Sequence, residues 1–275
     1  MLMNTQTNTI TIADGQIHYE VTGQGTPLIL CHAGFVDSQM WNPQIDVLAQ
    51  DYQVIRYDLR GYGQSSPATQ PMSRRHELLA VMEALDIDKA ILVGCSISGT
   101  TVIDFALDYP EKVIALIPVA ATPSGFELQG EPPAHIYEMF GALQQGDFET
   151  ASELQTRIWF DGMTRTPEQV DAALRQQVKG MNLNAVQRNT FLIADAEPLN
   201  PLDPPAITRL SEIDVPTLII AGALDHPEIM RSATIMRDTI ANAQMHILEQ
   251  SAHLPNMEQA DDFNRIVSDF LRGLS

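Results

Sequence analysis

Ser96 lies in the segment Val93-Gly94-Cys95-Ser96-Ile97-Ser98-Gly99. The apolar run 90–94 before it has the character of a buried strand, and 97–108 after it has helical spacing. A serine on so sharp a strand-to-helix turn presents its hydroxyl as a nucleophile. Small residues must flank it, because the backbone folds back on itself. Gly94 stands two before it and Ser98 two after, where glycine is the usual residue; a glycine follows at 99. The flanking residues rule out Cys95 and Ser98 as the nucleophile in this register.

A serine hydroxyl is weakly nucleophilic and needs a base that is itself held by an acid. Of seven histidines, His253 lies in Ser251-Ala252-His253-Leu254-Pro255, between a strand near 244–248 and a last helix near 258–272. Asp225 lies in Gly222-Ala223-Leu224-Asp225-His226-Pro227, after the strand 216–221. Both loops follow the C-terminal ends of strands, where open parallel sheets place their sites. The chain order Ser, Asp, His suits a strand–turn–helix serine, and Glu228 is the reserve acid. An oxyanion needs backbone N–H donors. Ile97, directly after the serine, supplies one at a helix N-terminus. Phe35 of His32-Ala33-Gly34-Phe35, the loop after strand 27–31, is the second candidate.

The elements that must position these groups follow from periodicity. Residues 9–13 and 16–22 read as two strands joined by a turn at Asp14-Gly15. Runs at 27–31, 52–57, 90–94 and 113–120 alternate with helical patterns at 40–50, 73–86 and 97–108, and Ser73 is a candidate cap for the second of these. Continuous apolar strands separated by helices predict a mostly parallel sheet covered on both faces. Between 124 and 210 the strands stop, and helical spacing appears at 134–144, 147–160, 167–180 and 184–195. The expected organisation is a core of residues 1–123 and 211–275 interrupted by a helical insertion, 124–210. An eight-fold β/α barrel fits the length but not the opening hairpin or the strandless middle.

The segments LILCHAGF, RYDLRGYGQS, LVGCSISG, PTLIIAGALD and SAHLPNMEQ, in this order, resemble the α/β-hydrolase fold family over nearly the whole chain. Within it, the chain is similar to small cofactor-free esterases and lactonases of the 3-oxoadipate enol-lactonase type. The resemblance implies an α/β-hydrolase fold with 124–210 as a cap. It also implies Ser96, Asp225 and His253 as catalytic residues, no cofactor, and a small ester or lactone as substrate. C–C bond hydrolysis, amide hydrolysis and perhydrolysis use the same triad. A ligand receptor with weak turnover and a lyase are the readings from other classes.

The rest of the sequence weighs plainer roles. His32 reads as a structural hydrogen-bonding residue, His226 as a loop neighbour of Asp225, His246 as a strand residue, and His18, His76 and His135 as surface or structural residues. Asp58-Leu59-Arg60-Gly61 reads as a turn with an ion pair. Trp41, Phe140, Trp159 and Phe160 are the aromatic candidates to line a pocket, with Met139 and Met163, although such residues at helical spacing more commonly fill a core. No metal-ligand or phosphate-loop spacing occurs, so no metal site is expected.

The chain has 275 residues, with 16 Lys and Arg against 35 Asp and Glu, a net charge of −19. That charge repels a phosphate backbone and argues against nucleic acid as a partner. No apolar run approaches the roughly 20 residues of a membrane span. Cys31 and Cys95 end apolar runs and read as buried free thiols. The N-terminus lacks the pattern of a secretory signal. A cytoplasmic monomer or homodimer is expected.

Overall fold

The computed structural model describes residues 5–12 and 15–274. Eight strands, β1 (Thr5–Ile12), β2 (Gly15–Thr22), β3 (Thr26–Cys31), β4 (Tyr52–Tyr57), β5 (Ala90–Cys95), β6 (Val113–Val119), β7 (Thr217–Gly222) and β8 (Ala243–Leu248), form one sheet in the order β1-β2-β4-β3-β5-β6-β7-β8. β1 and β2 pair antiparallel, with Ile12 opposite Gly15; Asp14 of the expected turn lies outside the described residues. β2 also runs antiparallel to β4, and from β3 onward the pairs are parallel.

Every residue of β5 and β7 is buried. That is why these strands read as unbroken apolar runs: both of their faces are covered by other elements. Helices α1 (Asn42–Leu48), α2 (Arg74–Ala84), α3 (Ile97–Asp108), α7 (Pro227–Thr239), α8 (Pro255–Glu258) and α9 (Ala260–Arg272) pack against strands of the sheet, and α4 (Ile136–Gln145), α5 (Phe148–Thr156) and α6 (Ala172–Gln187) follow β6. The last helix, α9, shows the logic most simply. Phe263, Ile266, Val267, Phe270 and Leu271 form its buried stripe, Asp261 and Asp262 sit in its first turn and Arg272 in its last. The spacing gives one apolar face, and the charges complement the helix dipole.

Cap chemistry moved several expected boundaries. The helix expected at 40–50 begins with a 3₁₀ turn, Ser38–Trp41, because the Asp37 side chain accepts from the Gln39 N–H. Ser73 is the residue before α2, but its hydroxyl makes no capping bond. Between β6 and β7, the spacing at 167–180 and 184–195 resolves differently. Pro167–Gln169 is a separate 3₁₀ turn closed by a reciprocal Thr166–Gln169 capping box. Asp171 then caps α6 by accepting from the Leu174 N–H, and α6 runs unbroken through Gly180. α5 continues into a π-helical turn, Arg157–Asp161, and a second π turn spans Phe191–Asp195. Such widened turns re-aim side chains and recur at functional sites.

Candidate active site

Ser96 follows β5 and holds φ 56° and ψ −121°, in left-handed territory costly for a residue with a side chain. Its N–H donates to the Val119 carbonyl (2.9 Å) and its carbonyl accepts from the Thr100 N–H (3.0 Å), so the strained backbone is pinned at both ends. Ser96 stands at the N-cap position of α3 and is half-buried, yet its hydroxyl makes no capping bond. The turn closes only because position 94 has no side chain. A Cβ there would stand 2.2 Å from the Ser98 carbonyl oxygen. Ser98, in the position where glycine is usual, has work of its own: its buried hydroxyl donates to the His32 carbonyl (2.6 Å), joining the serine turn to the loop after β3.

Two further loops meet above the end of β7. Asp225 and His253 are both buried, and His253 Nδ1 donates to Asp225 Oδ2 (2.6 Å). Asp225 Oδ1 accepts from the His226 N–H (2.7 Å), which fixes the carboxylate at its other oxygen. The loops approach closely at Gly222, where a Cβ would lie 2.0 Å from the Ala252 carbonyl oxygen. The Cys95 thiol, next to Ser96, donates to the His253 carbonyl (3.6 Å) and so ties the serine and histidine segments together. Both cysteines are free and buried, and burial raises both thiols, Cys31 to about 12.

The His253 ring sits in an aromatic corner. The Trp159 centroid lies 4.9 Å away and the Phe35 centroid 6.1 Å away. The Trp159 carbonyl also accepts from the His253 N–H (3.3 Å). Trp159 comes from the first π turn, so the segment between β6 and β7 supplies one wall. The other aromatic expectations separate. Trp41 is corrected to a core residue: it has no exposed surface and packs on Phe263 of α9 (6.1 Å). Phe160 is 1% exposed and likewise core, which leaves it no surface to offer a ligand. Phe140 is half-buried on α4, and Met163 is exposed.

Among the described residues, neither the Phe35 nor the Ile97 N–H is spent on a backbone acceptor outside its own element. The neighbouring Ala33 N–H, by contrast, donates to Met40 Sδ (3.3 Å). His32 accepts at Nε2 from the Leu59 N–H (2.9 Å) and therefore donates from Nδ1 to the Ala33 carbonyl (2.8 Å). That fixes it as a neutral, fully buried brace, and burial lowers its basicity. His226 caps α7 and reaches the Glu131 carbonyl. Glu228 pairs with Arg231 (2.6 Å), away from His253. The ion pair expected near Asp58-Leu59-Arg60-Gly61 is Arg60 with Glu77 (3.3 Å).

The sequence gives no local sign of several polar residues that brace the site. Tyr62, Asn182 and Asp195 contact the Phe35 loop or each other across 28, 147 and 133 positions of chain. Arg165 and Glu258 clasp the His253 loop (2.6 Å), with Glu258 also accepting from the Ala252 N–H. A cavity of about 240 Å³ opens beside Ile97, Thr100 and Thr101 of α3, facing Leu199 and Leu202.

Residues 26–260 match the model of the α/β hydrolase fold, and the chain belongs to that family. It is 29% identical over 276 residues to a 2-hydroxy-6-oxo-6-phenylhexa-2,4-dienoate hydrolase of Comamonas testosteroni, covering 95% of this chain and 93% of that protein. It is 28% identical over 257 residues to a pimeloyl-[acyl-carrier protein] methyl ester esterase of Vibrio atlanticus, covering 90% and 95%. The enol-lactonase from Burkholderia xenovorans LB400 superposes with a TM-score of 0.78 at 21% identity, covering 96% of this chain and all of that one. The protein is thus an α/β hydrolase. Among the described residues, no helix is long and apolar enough to cross a membrane.

Proposed function

We propose that this chain is a serine hydrolase of small carbonyl substrates, with Ser96 as nucleophile, His253 as general base and acid, and Asp225 as the group that orients His253. The observation that carries the reading is Ser96 itself: a strained backbone at a strand-to-helix turn, with its hydroxyl released from capping. Because His253 donates through Nδ1 to Asp225, Nε2 is the ring nitrogen left to take the serine proton. The alkoxide attacks the carbonyl carbon. The resulting oxyanion is received by the Phe35 and Ile97 N–H groups, the latter backed by the dipole of α3. Collapse expels the leaving group with the proton from His253, and water then releases the acid from the acyl-enzyme.

In this reading, residues 124–210 act as a cap over the core of 1–123 and 211–275. Its Trp159 packs on the His253 ring, and the cavity between α3 and Leu199 reaches the machinery only at Ile97, not at Ser96 or His253. The proposed site of action is the cytoplasm.

The bond cleaved is that of a carboxylic ester or lactone. The likeness to the Comamonas testosteroni protein supports a second reading. The compound in that protein's name has a ketone and no ester, so its hydrolysis breaks a carbon–carbon bond. The same serine attack serves, but the proton must then reach carbon. The test compares wild type and Ser96→Ala on short p-nitrophenyl esters, lactones and that dienoate, with product analysis. Wild type should release acid and Ser96→Ala should not. Full turnover by Ser96→Ala would sink the mechanism, and the preferred compound decides between the bonds.

A further inference from the structure

The peptide linking Gly34 to Phe35 is gripped on its far edge. The Tyr62 hydroxyl lies 2.8 Å from the Gly34 carbonyl oxygen and shares its one proton between that oxygen and the Asp195 carboxylate. The bond is trans, since the one cis peptide among the described residues is Asp203-Pro204. In a trans peptide, the carbonyl and the following N–H point in opposite directions on one rigid plane. Fixing the Gly34 carbonyl therefore fixes the aim of the Phe35 N–H. We propose that Tyr62 is a positioning residue for the oxyanion donor: its hydroxyl holds the Gly34 carbonyl so that the Phe35 N–H faces the reacting carbonyl. This inference rests on the reading of Ser96 as nucleophile and Phe35 as donor.

The setting of Tyr62 suits that role. Its ring has no exposed surface and stands edge-on to His32, at 5.2 Å. Burial pushes the phenol well above its ordinary range, so its proton stays in place to be donated. The hydroxyl also lies 2.7 Å from Asp195 Oδ2, at the end of the second π turn. Arg74 Nε in turn donates to Asp195 Oδ1 (2.7 Å), and Arg74 is anchored by Glu77 and the Arg60 carbonyl. A buried ion pair thus sets where the phenol oxygen can lie.

The next peptide is held from the same segment. Asn182 of α6, with no exposed surface, donates through Nδ2 to the Phe35 carbonyl (2.9 Å) and to Gln155 Oε1 (2.7 Å). Both peptide planes flanking Phe35 are therefore fixed by groups that depend on the segment between β6 and β7. Gly34 also packs close to the serine turn. A Cβ at that position would lie 2.9 Å from Ile97 Cγ2, the residue carrying the other donor. The donor pair is built as one unit with the docked helical segment.

The test uses Tyr62→Phe in the full chain and two probes whose complexes carry oxyanion character: a fluorophosphonate and a trifluoromethyl ketone. Labelling of Ser96 should slow by about 10- to 100-fold, less than deletion of a donor outright. The ketone inhibition constant should rise by a similar factor, while KM for a short p-nitrophenyl ester shifts by less than about 3-fold. Unchanged labelling and ketone affinity in folded Tyr62→Phe would overturn the proposal, as would slower labelling with ketone affinity intact. If Tyr62→Phe does not fold, Asp195→Asn, which weakens the hold on the Tyr62 hydroxyl, repeats the test with the same expected losses and the same overturning result. No label on wild-type Ser96 would sink the underlying reading and this proposal together. Label on Ser96 with unaltered variant kinetics would sink this proposal alone.

Discussion

Nδ1 of His253 lies 2.6 Å from Oδ2 of Asp225, and both side chains are almost fully enclosed. So short a contact between buried partners selects the tautomer that leaves Nε2 unprotonated and stabilises the imidazolium that forms when it takes a proton. Asp225→Asn keeps the shape but offers an amide where the carboxylate was, and favours the wrong tautomer. The expected loss in kcat is on the order of 10³- to 10⁴-fold. Steady-state kinetics on a short ester checks it, and a loss under about tenfold would remove Asp225 from the mechanism.

Trp159 meets the His253 ring at a centroid distance of 4.9 Å. Aromatic contacts of this kind contribute about 0.5–1.5 kcal/mol beyond burial. Trp159→Ala should lower kcat/KM by roughly tenfold, and Trp159→Phe should recover most of it. Equal activity in wild type and Trp159→Ala would show that the wall has no part in holding His253.

Ser98 joins the serine turn to the loop after β3 through its bond to the His32 carbonyl. The bond is short and buried. Ser98→Ala should cost about 1–3 kcal/mol in stability, read from urea unfolding. A value within experimental error of zero would mean that the hydroxyl is replaceable there.

Much of this arrangement was legible in the residues. β4 at 52–57 and α3 at 97–108 stand where the apolar spacing predicts them, and Asp225 and His253, each singled out in a loop after a strand, lie 2.6 Å apart. Short-range signals are dense at these places because strand burial, glycine turns and helix caps are local. The clasp of Tyr62, Asp195 and Asn182 was not legible. Its partners are separated by 28, 133 and 147 positions. A tyrosine in an Arg-Gly-Tyr-Gly turn or an aspartate in a helical stretch has no pattern that names so distant a partner. Trp41 misled for a related reason: an aromatic at helical spacing has the same signature in a core as at a pocket wall.

Burial pushes the Glu258 carboxyl up from 4.5 to about 7 against the pull of the Arg165 guanidinium and the Ala252 N–H. The folded chain therefore holds this proton at pH values where the unfolded chain has lost it. Its contribution to stability falls as pH rises from about 4.5 to about 7, by at most about 3 kcal/mol, and is level above that. Glu258→Gln cannot ionise, so its stability relative to wild type should improve between about pH 5 and pH 8. Urea unfolding of both proteins at the two pH values measures this. An identical difference at both would contradict the assignment.

The central claim is that Ser96 is an activated nucleophile. Its most direct test is fluorophosphonate labelling of the intact protein followed by peptide mass mapping. The account predicts one adduct on Ser96, abolished in Ser96→Ala and strongly slowed in Asp225→Asn. Folded wild-type protein with no adduct on Ser96, or with the adduct on another residue, would contradict it.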